Sequence, residues 1–106
     1  MPRQAETMND NSQATNVLKA IGNQRRSQIV HLLIDGKEKS VSEIESFVPD
    51  LSQSALSRHL GRLRQASIVK TRRSSQTIFY SIEDQNVIRI LRLLKHIYAE
   101  DFRKLN

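Results

Sequence analysis

A long segment without a single acidic side chain is the feature that most restricts what this 106-residue chain can fold into. The segment runs from Leu51 to Ile82 and carries six basic side chains: Arg58, Arg62, Arg64, Lys70, Arg72 and Arg73. Its charge of +6 equals the formal net charge of the whole chain, so the remaining residues are neutral overall. Positive charge confined to one segment indicates a surface that binds a polyanion.

The first half of this segment has the pattern of an amphipathic helix. Leu56, Leu60 and Leu63 fall on one side of a helix predicted from about Gln53 to Ala66, with Ser52 as a candidate N-cap. The opposite side holds mostly small or polar residues: Ser54, Ser57, Arg58, Gly61 and Gln65. Serine and glycine there let the helix backbone approach a partner closely, which favours a docking role over a merely solvated surface.

Other elements are predicted on both sides of that helix. Apolar periodicity and capping residues predict four further helices, which begin at about Ser12, Asn23, Ser40 and Asp84 and end at Gly22, Asp35-Gly36, Pro49 and about Arg103. Two β-rich runs, residues 68–73 and 77–82, flank the polar tip Ser74-Ser75-Gln76 and predict a hairpin. The predicted class is mainly α with a β-hairpin, in the order α1-α2-α3-α4-β1-β2-α5.

This order is that of a winged helix-turn-helix domain, expected over residues 12–106 after a disordered polar tail at 1–11. In such a domain the second helix of the pair enters the DNA major groove, and the hairpin, or wing, contacts the adjacent backbone or minor groove. The predicted base contacts are Gln53, Ser54, Ser57 and Arg58, and the predicted phosphate contacts are Arg62, Arg64, Lys70, Arg72 and Arg73. Ser40, Ser42, His59 and Gln76 complete the predicted DNA-binding set, although packing explains His59 equally well.

The last helix has too many apolar positions for one partner surface. Its two stripes span more than about 200° of the circumference, which predicts a dimer. The predicted interface combines Val17, Leu18 and Ile21 of the first helix with Val87, Ile90, Leu91, Leu94, Ile97 and Tyr98 of the last. The alternative is that the stripe of Ile90, Leu93 and Ile97 belongs to the core of a single chain.

Several functions are excluded or disfavoured by composition. The chain has no cysteine, which excludes disulfides, thiolate metal sites and thiol redox switches. It has no long apolar run and no signal pattern, so we expect a cytoplasmic protein that does not enter a membrane.

No nucleophile, base and orienting acid form a recognisable catalytic set in the sequence, so no enzyme and no cofactor are predicted. His96 and Glu100 could hold zinc across a dimer, but an exposed helix pair explains them as well, and no metal is predicted.

Two stretches resemble a known family. LKAIGNQRRSQIVHLL and LSQSALSRHLGRLRQASIVKTRRSSQTIFYSI are similar to the ArsR/SmtB family of bacterial transcriptional regulators, nearest to its HlyU/NolR-like branch, over roughly residues 15–100. The resemblance implies a homodimer joined through the first and last helices, which reads a pseudo-palindrome in double-stranded DNA as a repressor or anti-repressor. Competition with another DNA-binding protein is one way in which such a regulator acts.

The chain departs from that family at the positions that sense signals. The third helix, SVSEIESF, lacks the thiols of the metal sensors, and the last helix lacks the expected second histidine. The cysteine positions of the branch's redox sensors hold His31 and Ala99 here. The sequence therefore predicts a DNA-binding regulator without cysteine-based metal or redox sensing. The alternative is a winged-helix module whose basic face binds an acidic protein.

Overall fold

The computed structural model describes residues 12–100, which form five helices and a three-stranded sheet. The helices are α1 (Gln13–Ile21), α2 (Gln24–Leu32), α3 (Val41–Phe47), α4 (Gln53–Gln65) and α5 (Gln85–Ile97); the strands are β1 (Lys39–Ser40), β2 (Val69–Ser74) and β3 (Thr77–Ile82). The winged helix-turn-helix order predicted from the sequence is confirmed. The predicted tail at 1–11 and the predicted helix end at Arg103 lie outside the described residues.

Each helix starts where its capping residue predicts. The N-caps all have extended backbone and accept a backbone N–H of the first turn: Ser12, Asn23, Ser40, Ser52 and Asp84. Ser40 and Glu43 form a complete capping box, in which Ser40 Oγ accepts the Glu43 N–H at 3.2 Å and Glu43 Oε1 accepts the Ser40 N–H at 2.7 Å. These caps fix where α3 and α4 begin, and so fix the helix pair.

The sheet has one strand more than the hairpin predicted. Its order is β1-β3-β2, all antiparallel, with Ser40 opposite Phe79 and Phe79 opposite Arg72. Two residues are too few to show an alternating pattern, so β1 has no signal in the sequence. Ser74 pairs with Thr77, and the hairpin tip is therefore Ser75-Gln76 instead of the three residues predicted.

The apolar side of α4 packs into the core, as its leucine stripe predicts. Leu56, Leu60 and Leu63 are buried in one cluster that also contains Ile29 and Val87. Because one side of α4 is held in this way, its polar side must face outward. Within residues 12–100 no helix is long and apolar enough to cross a membrane.

The residues predicted to form the dimer interface fall into a buried group and an exposed group. Val87 and Leu91 are buried in the chain's own core, as are Val17 and Ile21 of α1, and Leu94 is half-buried against it. These four buried residues serve the chain's own core, and the predicted interface as a whole stays a prediction. Five large apolar side chains are exposed in the described part of the chain, namely Leu18 (53%), Ile90 (39%), Leu93 (59%), Ile97 (56%) and Tyr98 (53%). We call these five the free apolar face.

Candidate nucleic-acid interface

Helix α4 presents an exposed polar surface beside the wing. We define its recognition face as Gln53, Ser54, Ser57, Arg58 and Gly61, all of which are exposed. A Cβ atom added at Gly61 would meet nothing within 4 Å, so the glycine leaves open space on the outside of the helix. An α-helix fits the major groove, and this face offers it small side chains with one long cation.

Some side chains of the recognition face are hydrogen-bonded within the chain and others are not. Gln53 Nε2 donates to Glu45 Oε2 at 3.2 Å, and Ser54 Oγ lies 3.3 Å from Ser52 Oγ. Ser57 and Arg58 have no side-chain hydrogen bond or ion pair to any residue in the described part of the chain. The N–H donors of the Arg58 guanidinium are therefore unused within the described residues.

An ion pair ties the helix pair to α2. Arg25 Nη1 donates to Asp50 Oδ1 at 3.0 Å, and Arg25 Nη2 also contacts Asp50 Oδ2. Hydrogen bonding to Arg25 lowers the pKa of the Asp50 carboxyl, and the same bond raises the pKa of Arg25. Such an exposed pair adds little stability, but it orients the turn between α3 and α4.

Arg72 of the wing is already paired, which the sequence did not predict. Its Nε and Nη2 donate to the two carboxylate oxygens of Glu38, both at 2.8 Å, and its Cζ lies 4.8 Å from the centroid of the Phe79 ring. Hydrogen bonding to Arg72 lowers the pKa of Glu38. Arg72 is thus held by a bidentate pair and a cation–π contact, and its predicted phosphate contact stays a prediction. Glu38 is 34 residues away in sequence, so no local pattern could reveal it.

The other predicted DNA contacts differ in exposure and in their bonds within the chain. Exposed side chains without a hydrogen bond or ion pair to the described residues are Arg62, Arg64, Lys70, Arg73 and Gln76. Ser40 is half-buried and its hydroxyl is used by the capping box, whereas Ser42 is exposed at the start of α3. His59 is half-buried, with Nδ1 3.3 Å from Arg26 Nη1. Lys70, Arg73 and Gln76 are therefore the wing side chains of this set that are exposed and unbonded within the described residues.

Glu38→Gln is expected to strengthen binding to random duplex DNA about two- to fivefold at low salt, because it removes the anion that holds Arg72. The slope of log affinity against log salt should become steeper by about one, which is the value of one additional phosphate contact. Fluorescence anisotropy over a salt series measures both quantities. Glu83→Gln, an exposed acid outside the wing, is the matched control for charge. Equal changes in the two variants would show that only net charge affects DNA affinity and that Glu38 does not keep Arg72 from contacting DNA.

A helix pair whose second helix exposes a polar, acid-free face, followed directly by a two-stranded wing, defines a winged helix-turn-helix protein. A family model described as bacterial regulatory protein, arsR family, matches residues 23–71. The chain belongs to this arsR family of bacterial regulatory proteins. This confirms the resemblance seen in the sequence and the prediction of a transcription regulator, a class distinct from enzymes.

Individual relatives support the same assignment. The transcriptional activator HlyU of Vibrio cholerae is 42% identical over 100 residues, which cover 93% of this chain and 91% of that protein. The crystal structure of NolR from Sinorhizobium fredii matches with a TM-score of 0.79 and 39% identity, covering 92% of this chain and 96% of that one. A homodimeric winged helix-turn-helix DNA-binding domain from Mycobacterium bovis matches with a TM-score of 0.76 and 27% identity, covering 98% and 93%.

Proposed function

We propose that this protein is a sequence-specific DNA-binding regulator that acts in the cytoplasm as a homodimer on a pseudo-palindromic operator. The observation that carries the proposal is the recognition face of α4, where Ser57, Arg58 and Gly61 are exposed in a segment without acids. In this assignment Arg58 reads base edges, while Arg62, Arg64, Lys70 and Arg73 hold phosphates. The operator is then blocked by occupancy, or another DNA-binding protein is displaced from it.

The free apolar face supports the dimer. Ile90, Leu93 and Ile97 are exposed on one side of α5, with Tyr98 next along the chain, and exposed large apolar side chains grouped in this way mark association surfaces. The similar M. bovis domain is a homodimer. In a two-fold dimer joined through α5, each chain contributes one recognition helix. The two helices then read half-sites about one turn of DNA, roughly 34 Å, apart.

The proposal is tested by selecting genomic fragments with the purified protein and measuring its affinity for the selected and for random duplexes at fixed salt. We expect the selected sequences to share a pseudo-palindrome and to bind at least about 10³-fold more tightly than random DNA. Equal affinity for all sequences would contradict the proposal. Capture of an acidic protein in place of DNA would favour the interaction-module alternative.

Operator affinity is expected to change less than about fivefold, or roughly 1 kcal/mol of coupling, when peroxide, sulfane sulfur or zinc is added. The reason is that the chain has no thiol to oxidise. Within residues 12–100, moreover, no three His, Asp or Glu side chains cluster closely enough to hold a metal ion. Anisotropy on a fixed operator at constant ionic strength, with chelator-treated protein as reference, measures the change. A tenfold loss with stoichiometric zinc that His96→Ala abolishes would contradict this expectation.

A further inference from the structure

A basic cleft lies between α1, α2 and α4, next to the recognition face. One part, with a volume of about 300 Å³, is bordered by Asn16 and Lys19 of α1 and by Gln65 of α4. The adjoining part, of about 280 Å³, is bordered by Asn23, Arg58 and His59. Arg26 and Arg62 line both parts, and no acidic side chain lines either. We call the two parts together the basic cleft.

Arg26 is fixed in the wall of this cleft by the end of α1. Its Nε donates to the Ala20 carbonyl at 2.7 Å and its Nη2 to the Lys19 carbonyl at 3.3 Å, while its Nη1 lies 3.3 Å from His59 Nδ1. A cation at the carboxyl end of a helix is stabilised by the helix dipole. The guanidinium is therefore already positioned beside Arg62 and His59, with little orientation left to be lost when an anion binds.

The cations of the cleft repel one another. The pKa of Arg26 is lowered by burial and then by the charge of Arg62. The pKa of His59 is lowered by burial and then by the charges of Arg26, Arg58, Arg25 and Arg62. No anionic side chain in the cleft offsets this repulsion, so an anion bound among these groups would replace repulsion with attraction.

We propose that the basic cleft binds a phosphate group between Arg26, Arg62 and His59, and that in the DNA complex this is a backbone phosphate next to the bases read by α4. The proposal rests on the proposed function and enlarges its footprint from α4 and the wing to α1 and α2. Arg58 carries the argument for DNA, because it borders the cleft and also lies on the recognition face. A DNA strand bound by Arg58 would therefore pass beside the cleft. A soluble phosphate ester has the same chemistry, and two measurements separate the sources.

The first measurement is the salt dependence of binding to random duplex DNA. We expect Arg62→Gln to lower the slope by about one and the affinity about three- to tenfold at low salt, and Arg62→Lys to retain most of both. Arg92→Gln, which removes an exposed cation from α5, is the control and should leave the slope unchanged. Arg62 is exposed and has no side-chain bond within the described residues, so its replacement does not disturb the fold.

The second measurement uses DNA-free protein and therefore stands even if the proposed function fails. NMR of the His59 ring in inorganic phosphate, against chloride at equal ionic strength, should show the pKa of His59 rising with phosphate only, and no rise in Arg62→Gln. A phosphate response with an unchanged DNA slope supports the site and assigns it to a soluble phosphate, whereas a phosphate response together with a lower slope assigns it to a backbone phosphate. The proposal is overturned if His59 responds equally to chloride and phosphate, because a lower slope alone reports only the phosphate contact already assigned to Arg62.

Discussion

Replacing Ile90 or Ile97 with Glu is expected to convert the protein to a monomer and to lower its operator affinity by a factor of roughly 10²–10⁴, the range gained when two linked modules bind together. Both side chains belong to the free apolar face and are exposed on α5. At a two-fold interface each substitution places two carboxylates in an apolar contact, and an unpaired buried charge is strongly destabilising. The isolated chain keeps these positions exposed, so its folding should be little affected.

Analytical ultracentrifugation gives the oligomeric state, anisotropy gives operator affinity, and far-UV circular dichroism with a melting curve reports the fold. Arg92→Gln, an exposed position elsewhere on α5, makes the same change in charge without removing apolar surface. It should remain dimeric. Val87→Glu offers a contrast, because Val87 is fully buried in the single chain and its replacement should unfold the protein. If Ile90→Glu and Ile97→Glu both sediment as dimers, the interface lies elsewhere.

Local chemistry explains why most of the fold could be predicted. Asn23, Ser40, Ser52 and Asp84 cap helices because their side chains accept amides a few residues along the chain, so a short stretch of sequence contains the whole signal. The leucine stripe of α4 is likewise a local pattern. Once the stripe shows which side of the helix is buried, the opposite side is known to be the exposed one. The recognition face follows from the same periodicity. Arg58 could therefore be assigned to it without knowing what packs behind the helix.

Contacts between distant segments could not be predicted in this way. The Glu38–Arg72 pair joins the approach to α3 with the wing, and the Arg26–His59 contact joins α2 with α4 across 33 residues. Periodicity also could not show which half of the wide apolar surface of α5 faces the chain's own core. Val87 and Leu91 turned inward and Ile90 and Ile97 remained outside, a choice that depends on where α5 packs against the rest of the fold.

Arg58 and Arg72 show how contacts between distant segments affect the assignment of DNA-binding residues. Both are exposed arginines in the acid-free segment, and the sequence predicts a base contact for Arg58 and a phosphate contact for Arg72. In the structure Arg72 is bound to Glu38, while Arg58 has no such partner among the described residues. Arg73, next to Arg72 on β2, is exposed and, like Arg58, has no side-chain partner in the described chain, so we expect its predicted phosphate contact to be the stronger of the two. Specificity and general affinity should therefore divide between Arg58 and Arg73.

Arg58→Ala is accordingly expected to reduce the preference for operator over random DNA by about 1–3 kcal/mol per half-site, roughly 5- to 150-fold, because a bidentate contact to a base edge is lost. Arg73→Ala should instead weaken binding to both kinds of DNA by the same factor and lower the salt slope by about one, because a phosphate contact carries no sequence information. Competition binding with operator and random duplexes over a salt series measures preference and slope together. Arg58→Lys separates charge from geometry, since a lysine keeps the attraction to phosphate but cannot reproduce the guanidinium fork. If Arg58→Ala and Arg73→Ala change both affinities by one common factor, α4 does not read bases through Arg58, and the division between recognition helix and wing is wrong.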